Sequence, residues 1–442
     1  MAGNGDKRKV AIVGGGVAGL SAAYYLGKAG AAVDLFEAEK ETGGLAGSFD
    51  FEGLPVERYY HFICLPDRHL MGLAEELGIK DQLNWRRTRT TFFYEGKLYQ
   101  FTSPFDLLRF SPIPLHSRLN LGLETLKWKN LKDWEHLDDI SAKEWMLKSL
   151  GEQAYEVIWS PLLSMKFGEY QDQVSAAWLW HRVHRVANSR KSPLHPQVMG
   201  HFTGGTETLL KSLREAILKQ GGRIFCSAPV EAVTKKSDQV SGILVSGQMR
   251  AYDSVIVTVP LPQAAAMMPE GLEDFRVRLQ QVSFIGVVCL VLWIDRTISG
   301  AFWCNIHDRR IPFNGIIETS QLNPGTARNG ALIYVPHYLP VSAPRFSFQD
   351  EQLLDEFLKA LPMLKPGMGK QSIKGFRAFR SKFAQPICPK GFRHLVPPHT
   401  TPLKGLFLID CTQLYPEDRT ISGTIGVSKI ASSLVLEHLK KS

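Results

Sequence analysis

Three glycines near the start of the chain have the spacing of a phosphate-binding loop. Gly14, Gly16 and Gly19 follow the pattern G-x-G-x-x-G, directly after a short apolar run. In such a loop the first glycine makes a tight turn, the second lets the backbone approach a pyrophosphate, and the third lets the helix pack closely on the strand. The spacing therefore predicts a dinucleotide-binding site, in which Val17 and Ala18 at the start of the helix would also border the ligand.

The acid that such a site requires stands about twenty residues farther on. The predicted strand Ala32–Phe36 is followed by Glu37, whose carboxylate would accept hydrogen bonds from a ribose. An acid at this point favours a free 2′-hydroxyl group and argues against NADP. The glycine pattern by itself leaves FAD and NAD as alternatives.

The segments around these residues predict the elements that position them. Residues 10–13 are all apolar, as in a strand buried on both faces of a parallel sheet. The apolar residues that follow the glycines predict a helix that ends at Gly30. Strand, turn, helix and strand in this order indicate a doubly wound α/β domain.

Composition sets limits on the class of protein. The chain has 442 residues, of which 44% are hydrophobic, enough for two or three domains with substantial cores. The net charge of +9 favours an anionic partner, but no nucleic-acid motif is present and we expect no nucleic acid. The six cysteines are far apart and form no C-x-x-C pair, which argues against a zinc site or a disulfide framework.

Two features predict the cellular location. The N-terminus is polar and unlike a signal peptide, and the longest apolar run, 282–294, is too short to span a bilayer. We therefore expect a cytoplasmic protein and leave open whether it also contacts the inner face of the membrane.

A second glycine pair makes the cofactor more specific. Glu37 and Ala38, followed by Gly43 and Gly44, resemble the "E-A-x-x-x-x-G-G" segment of flavin-dependent amine oxidases, protoporphyrinogen oxidases and phytoene desaturases. The resemblance is strongest to flavoproteins of the protoporphyrinogen oxidase type. It implies that the cofactor is FAD and that Leu45, after the glycine pair, borders it as well.

Later segments extend the same resemblance toward the C-terminus. The segment 202–230 is similar to one in which the backbone at the position of Val230 contacts the adenine. The strand that ends at Asp410 resembles the family's last strand, whose acid holds the ribityl chain. The resemblance further implies that Gly423, Thr424 and Ile425 open a helix whose N-terminus points at the flavin.

The candidate catalytic residues are Tyr60 and His61. Residues 51–57 predict a short hairpin that ends at Glu57. In the resembled family, the segment that follows such an acid passes near the flavin ring, and here that segment is 58–62. A histidine can donate or accept a proton near neutral pH. A packed aromatic turn with a hydrogen-bonded histidine remains the alternative.

The middle of the chain predicts a helical insert. Residues 105–134 are rich in aromatic and basic side chains and in proline, so they suit either a membrane surface or an amphipathic insert that lines the core. In 178–185 no carboxylate or cysteine completes a metal site, which favours an anion-binding or solvated helix face and predicts no metal. The apolar run 282–294 lacks the lysine of amine-oxidising relatives, which disfavours amine oxidation.

These observations predict an α/β fold with two domains. A doubly wound, Rossmann-like FAD-binding domain would comprise 1–70, 200–275 and 376–442, and an inserted α+β substrate-binding domain would comprise 71–199 and 276–375. The predicted function is an FAD-dependent oxidoreductase that takes a hydride from a bulky, largely apolar or partly anionic substrate, as protoporphyrinogen oxidases and isoprenoid desaturases do. The alternatives are a non-redox mutase similar to UDP-galactopyranose mutase and a non-catalytic, membrane-associated flavoprotein. The electron acceptor is left open.

Overall fold

The computed structural model describes residues 8–190, 195–326 and 329–441, so the polar N-terminal residues 1–7 lie outside the described part. The strands in these ranges are β1 (Lys9–Val13), β2 (Ala32–Phe36), β3 (Ser48–Asp50), β4 (Pro55–Glu57), β5 (Leu83–Arg87), β6 (Thr90–Tyr94), β7 (Lys97–Gln100), β8 (Val198–Phe202), β9 (Arg223–Phe225), β10 (Val230–Lys236), β11 (Gln239–Val245), β12 (Gln248–Ala251), β13 (Ser254–Val257), β14 (Phe284–Ile294), β15 (Trp303–His307), β16 (Gly315–Glu318), β17 (Ala331–Leu339), β18 (Ile373–Pro386) and β19 (Leu406–Leu408). The α-helices in the same ranges are α1 (Val17–Lys28), α2 (Arg68–Glu76), α3 (Pro104–Arg109), α4 (Leu115–Asn130), α5 (Ala142–Leu150), α6 (Glu152–Ala154), α7 (Ser160–Phe167), α8 (Ala176–Ala187), α9 (Thr206–Lys219), α10 (Leu261–Met267), α11 (Glu273–Gln280), α12 (Asp350–Leu364) and α13 (Ile421–Lys441).

The first sheet is parallel and has the strand order β19-β13-β1-β2-β9. The central strand β1 is buried on both faces, which explains its unbroken apolar sequence. Helices α1, α9 and α13 cover one face. The antiparallel sheet β10-β11-β12 packs on the other face through its own apolar residues. This arrangement confirms the Rossmann-like α/β class and brings the carboxyl ends of β1, β2, β13 and β19 to one edge.

The second sheet has the order β18-β14-β17-β16-β15-β6-β7 and is mostly antiparallel. Successive side chains of its long strand β14 point to opposite faces of the sheet and so enter two different hydrophobic cores. Val288, Leu290 and Leu292 pack toward α12, whereas Val287 and Cys289 belong to the opposite core. That second core faces the first sheet's glycine loops.

Helices α3 to α8 form the predicted insert. Helices α3 and α5 begin with capping boxes, in which Ser103 pairs with Asp106 and Ser141 with Glu144. A π-helical segment, 155–159, joins α6 to α7, so one continuous helical stretch passes through Pro161. In the described part of the chain, no helix combines the length and the apolar character needed to cross a membrane.

The insert and the second sheet are interleaved in the chain. Strands β6 and β7 come from the first predicted substrate segment; β7 pairs with β6, and β6 pairs with β15 from the second segment. The predicted boundary at residue 376 falls within β18, because that strand continues along β14 as far as Pro386. The strand belongs to the second sheet over its whole length, and the division into two domains otherwise stays a prediction.

Candidate active site

A cavity of about 800 Å³ lies between the two sheets. The carboxyl edge of the first sheet and the two glycine loops form one wall. Residues of β14, β17 and β18 form another, and α7 and α8 contribute charged side chains. Of the predicted site residues, the following line this cavity: Gly14, Gly16, Val17, Ala18, Glu37, Ala38, Gly43, Gly44, Leu45, Tyr60, His61, Val230, Asp410 and Thr424.

Each glycine of the first loop is required for a different steric reason. Gly14 has a φ of +108°, and its N–H donates to Phe36 at 2.8 Å. A Cβ atom at Gly19 would lie 1.9 Å from the Gly14 carbonyl oxygen, so Gly19 permits the close approach of α1 and does not itself line the cavity. A Cβ at Gly16 would have no described atom within 4 Å. The backbone there borders open space, as approach to a pyrophosphate requires.

The second glycine pair packs against the first loop. The Gly43 N–H donates to the Gly15 carbonyl at 2.8 Å, and a Cβ at Gly44 would lie 3.3 Å from the Gly16 Cα. Gly43 has a φ of +130°, a conformation that side chains disfavour. The two loops thus form one continuous backbone surface along the cavity.

Glu37 is held by the loop that it follows. Its carboxylate accepts from the Gly15 N–H at 2.6 Å and from the Glu39 N–H at 2.9 Å. These bonds place the carboxylate at the cavity rim, where an anion can accept further hydrogen bonds from hydroxyl groups. Val230 begins β10 and lines the cavity near this acid's segment.

The C-terminal residues divide into two groups. Asp410 lines the cavity, accepts from the Thr412 N–H at 2.8 Å, and has a pKa raised by burial. Thr424 also lines the cavity. Gly423 and Ile425 do not: a Cβ at Gly423 would be 2.9 Å from Leu414, and Ile425 is buried in the helix-covered core. The first turn of α13 reaches the cavity through Ile421 and Thr424 instead.

Tyr60 and His61 both face the cavity, next to the second sheet. The Tyr60 ring lies edge-on to Trp303 at 5.4 Å, and burial raises the pKa of its phenol. The His61 Nδ1 atom is 3.6 Å from the Glu57 carboxylate and has no hydrogen-bond partner among the described residues. The His61 ring lines the cavity, and an imidazole in that position can exchange a proton with a ligand.

Sequence reasoning missed a charged cluster on the cavity wall. Lys166 from α7 and Arg182 from α8 approach the Asp418 carboxylate at 3.4 and 3.1 Å. Arg419 donates to the Tyr338 hydroxyl at 3.1 Å. The arginines of α8 were expected to form an anion-binding or solvated face, and the structure turns Arg182 into the cavity. The partners come from four separate segments, so no local pattern could reveal them.

Arg58 is a second residue that sequence reasoning passed over. Its side chain lies beside Gly47 and lines the cavity, and its buried Nε has no hydrogen-bond partner among the described residues. A guanidinium next to the glycine loops suits an anionic or carbonyl group of a cofactor. Its only sequence signal was its place directly after Glu57, in the segment 58–62.

The residues present fit FAD. No side chain in the described part of the chain caps the N-terminus of α1, so its N–H groups remain available to a pyrophosphate. The backbone surface of the two glycine loops, the Glu37 carboxylate and the Arg58 guanidinium all border the same cavity. Among the described residues, no three histidine, cysteine, aspartate or glutamate side chains come together to hold a metal ion.

Comparison with known proteins agrees with this geometry. The model of the flavin-containing amine oxidoreductase family matches residues 17–414. The chain belongs to that family. Its cofactor is FAD, which the two glycine loops and Glu37 fit.

Individual relatives are distant. The chain is 24% identical over 318 residues to the 15-cis-phytoene desaturase of Solanum lycopersicum, a match that covers 66% of this chain and 54% of the desaturase. It is 24% identical over 299 residues to the mitochondrial protoporphyrinogen oxidase of Nicotiana tabacum, covering 59% of each chain. The matches therefore span little more than half the length of these relatives. The structure of reduced UDP-galactopyranose mutase superposes with a TM-score of 0.76 at 15% identity and covers 98% of this chain and 96% of the mutase, which shows a shared fold.

Proposed function

We propose that this flavoenzyme removes a hydride from a carbon atom of a bulky substrate with a largely apolar body. The observation that carries the proposal is a continuous cavity, which the glycine loops bound on one side and the second sheet on the other. A cofactor on the loops and a substrate against β14 and β18 would share this space. The names of the two relatives, a phytoene desaturase and a protoporphyrinogen oxidase, support a substrate of this size.

Bound FAD supplies a two-electron acceptor for hydride transfer, and the protein supplies orientation and exclusion of water. Phe284, Val287, Cys289 and Phe379 present apolar surface to the cavity. Such a wall suits the apolar body of a substrate and keeps water away from it. The His61 imidazole, which lines the cavity, can take the proton that the substrate loses, whereas the Tyr60 phenol, whose pKa is raised by burial, stays protonated and can donate a hydrogen bond.

An anaerobic reduction experiment tests the proposal. Protoporphyrinogen and phytoene are added separately to the FAD-loaded protein, and the flavin absorbance at about 450 nm is followed. We expect one of the two to bleach the flavin within the time of mixing, while squalane, a saturated hydrocarbon of comparable bulk, leaves it oxidised. In the variant H61Q, bleaching should slow by at least about tenfold with unchanged FAD content. A flavin that stays oxidised with both substrates contradicts the proposal.

A non-redox mutase is the second candidate. The cationic wall formed by Lys166, Arg182 and Arg419 would suit a nucleotide diphosphate, and the mutase shares the fold. A mutase would convert UDP-galactopyranose without lasting loss of flavin colour. A flavoprotein without catalysis would show neither bleaching nor conversion.

A further inference from the structure

The cavity wall beside Tyr60 carries an excess of positive charge. Among the described residues there, Lys166, Arg182 and Arg419 face one carboxylate, that of Asp418. The side chains of Lys166, Arg182 and Asp418 are only 8%, 21% and 12% exposed. The neighbouring Arg185 does not change this excess, because it forms its own bidentate pair with Asp67. Buried charge of one sign is costly unless an opposite charge binds it.

Tyr338 lies against the same cationic groups. Burial by itself would raise the pKa of its phenol, yet the charges of Lys166 and Arg419 lower the pKa below its usual value. The Lys166 ammonium lies 5.0 Å from the centre of the Tyr338 ring, and Arg419 donates to the hydroxyl. The surroundings thus stabilise negative charge at this place despite the loss of water.

The cluster lies on the substrate side of the cavity. Lys166 packs on Tyr338 of β17, and the Arg182 guanidinium lies 5.8 Å from the ring of Trp303 on β15. Both strands belong to the second sheet, whereas the loops that suit a pyrophosphate belong to the first. The excess charge is therefore placed to meet a substrate and not the phosphates of FAD.

We propose that Lys166, Arg182 and Arg419 bind an anionic group, a carboxylate or a phosphate, on an otherwise apolar substrate. This inference rests on the proposed function and names the polar end of the molecule that is oxidised. Guanidinium groups pair with the oxygens of both anions in a forked geometry, and the lysine adds a point charge. The apolar surface of β14 and β18 would hold the remainder of the substrate, and a cationic amine would be repelled.

Binding of three matched probes to the FAD-loaded protein tests this inference. Decanoate, decyl phosphate and decanol share one alkyl chain and differ in the head group, and flavin absorbance changes or calorimetry report their binding. We expect at least one of the two anions to bind about tenfold or more tightly than decanol, and the tighter anion identifies the head group. Equal affinity for both anions and the alcohol would overturn the inference.

Variants separate charge recognition from structural damage. R182Q should weaken binding of the preferred anion about tenfold and leave decanol binding unchanged, and R182K should retain most of the affinity. D418N removes the compensating carboxylate, so anion binding should be kept or tightened. If D418N and R182Q weaken anion binding equally, the cluster is merely structural. These measurements need no turnover, so an unreduced flavin would refute the proposed function without affecting them.

The outer surface of the insert exposes apolar side chains of α3 and α4. Helix α4 buries one face through Leu121 and Trp128. Four leucines at helical spacing form a second, outward face, continued by two apolar residues of α3. This exposed apolar row consists of Phe105, Leu108, Leu115, Leu119, Leu123 and Leu126, whose exposures are 63%, 41%, 58%, 53%, 60% and 45%. A contiguous apolar row of this kind marks an interaction surface.

Basic side chains border the exposed apolar row. Lys127, whose ammonium also pairs with Glu124, and Lys129 lie on opposite sides of the row on α4. The exposed Arg109 ends α3, and the exposed Lys132 follows α4. Apolar residues between cations match a bilayer surface, where leucines enter the acyl boundary and cations meet anionic headgroups. We infer that the row docks on an anionic lipid surface, the inner face of the membrane for a cytoplasmic protein.

Vesicle co-sedimentation tests this docking. The FAD-loaded protein should sediment with phosphatidylcholine vesicles that contain phosphatidylglycerol, bind pure phosphatidylcholine less, and be released by rising salt. The double variant L119S/L123S should lose at least about tenfold in binding with unchanged FAD content. The control L218S removes a leucine that is 57% exposed on α9, outside the row, and should bind normally. Unchanged binding of the double variant, or a dimer of the wild type that the double variant abolishes, would overturn the inference.

Discussion

Replacement of Gly16 by valine should separate cofactor binding from folding. The residue has a φ of −71°, which side chains tolerate, and no described atom lies within 4 Å of the new Cβ. We therefore expect G16V to change the free energy of unfolding of the apoprotein by less than about 1 kcal/mol.

The cost should appear in FAD binding. The added methyl groups enter the space from which a pyrophosphate would approach the backbone N–H groups of the loop. Loss of one hydrogen bond to a charged group costs about 1.5–3 kcal/mol. We expect FAD to bind about 10- to 150-fold more weakly, which corresponds to that energy.

G19A is the matched control, because its main effect should fall on folding, whereas that of G16V should fall on FAD binding. Its Cβ would lie 1.9 Å from the Gly14 carbonyl oxygen, so strand and helix must separate at a cost of about 1–3 kcal/mol to folding. Thermal melts with and without FAD measure both quantities. FAD should raise the melting temperature of the wild type more than that of G16V at the same FAD concentration. A G16V protein that is purified yellow with wild-type affinity would refute the assignment of FAD to this loop.

Three further predictions concern other parts of the molecule. E37A should weaken FAD binding about tenfold, because the Gly15 N–H and a ribose lose their acceptor, and E37Q should fall between E37A and the wild type in a fluorescence titration. E318A should lower the free energy of unfolding in urea by at least about 3 kcal/mol, since the buried carboxylate accepts from Thr297 and Ser299, whereas E318Q, which keeps one acceptor, should lose less. Burial, followed by the charge of Arg185, lowers the pKa of His181 to about 4. In the unfolded chain His181 binds a proton near pH 6.5, whereas in the folded protein it stays neutral down to about pH 4. The free energy of unfolding is therefore highest above pH 6.5 and falls by on the order of 3 kcal/mol as the pH is lowered to 4. Melts between pH 7 and pH 4 should show a smaller fall for H181Q, and an identical fall would contradict the pKa.

Local sequence predicted most of the first sheet and of the cofactor wall. The spacing of Gly14, Gly16 and Gly19 requires particular backbone geometries, and the structure contains each of them. Apolar runs predicted β1 and β14 because burial on both faces leaves no polar position, and β2 was predicted although it contains one acid, Asp34, which pairs with Arg223. Fold class and family followed from these elements together.

The placement of Gly423 and Ile425 shows where local pattern stops. The motif predicted that both border the cofactor, but neither lines the cavity, because Leu414 and the helix-covered core occupy the space around them. Which side of a helix meets a ligand depends on how the helix is docked. Sequence spacing alone does not contain that information.

The sequence by itself determined the glycine loops, the acid at Glu37 and the FAD-binding class, because these depend on backbone conformation and on residues close together in the chain. Only the tertiary structure decided the character of the cavity wall and of the outer surface. Lys166, Arg182 and Asp418 meet because distant segments fold onto one sheet. The leucines of α4 stay exposed because burial depends on what packs against a helix, and α4 presents apolar residues on two faces while the described fold covers one.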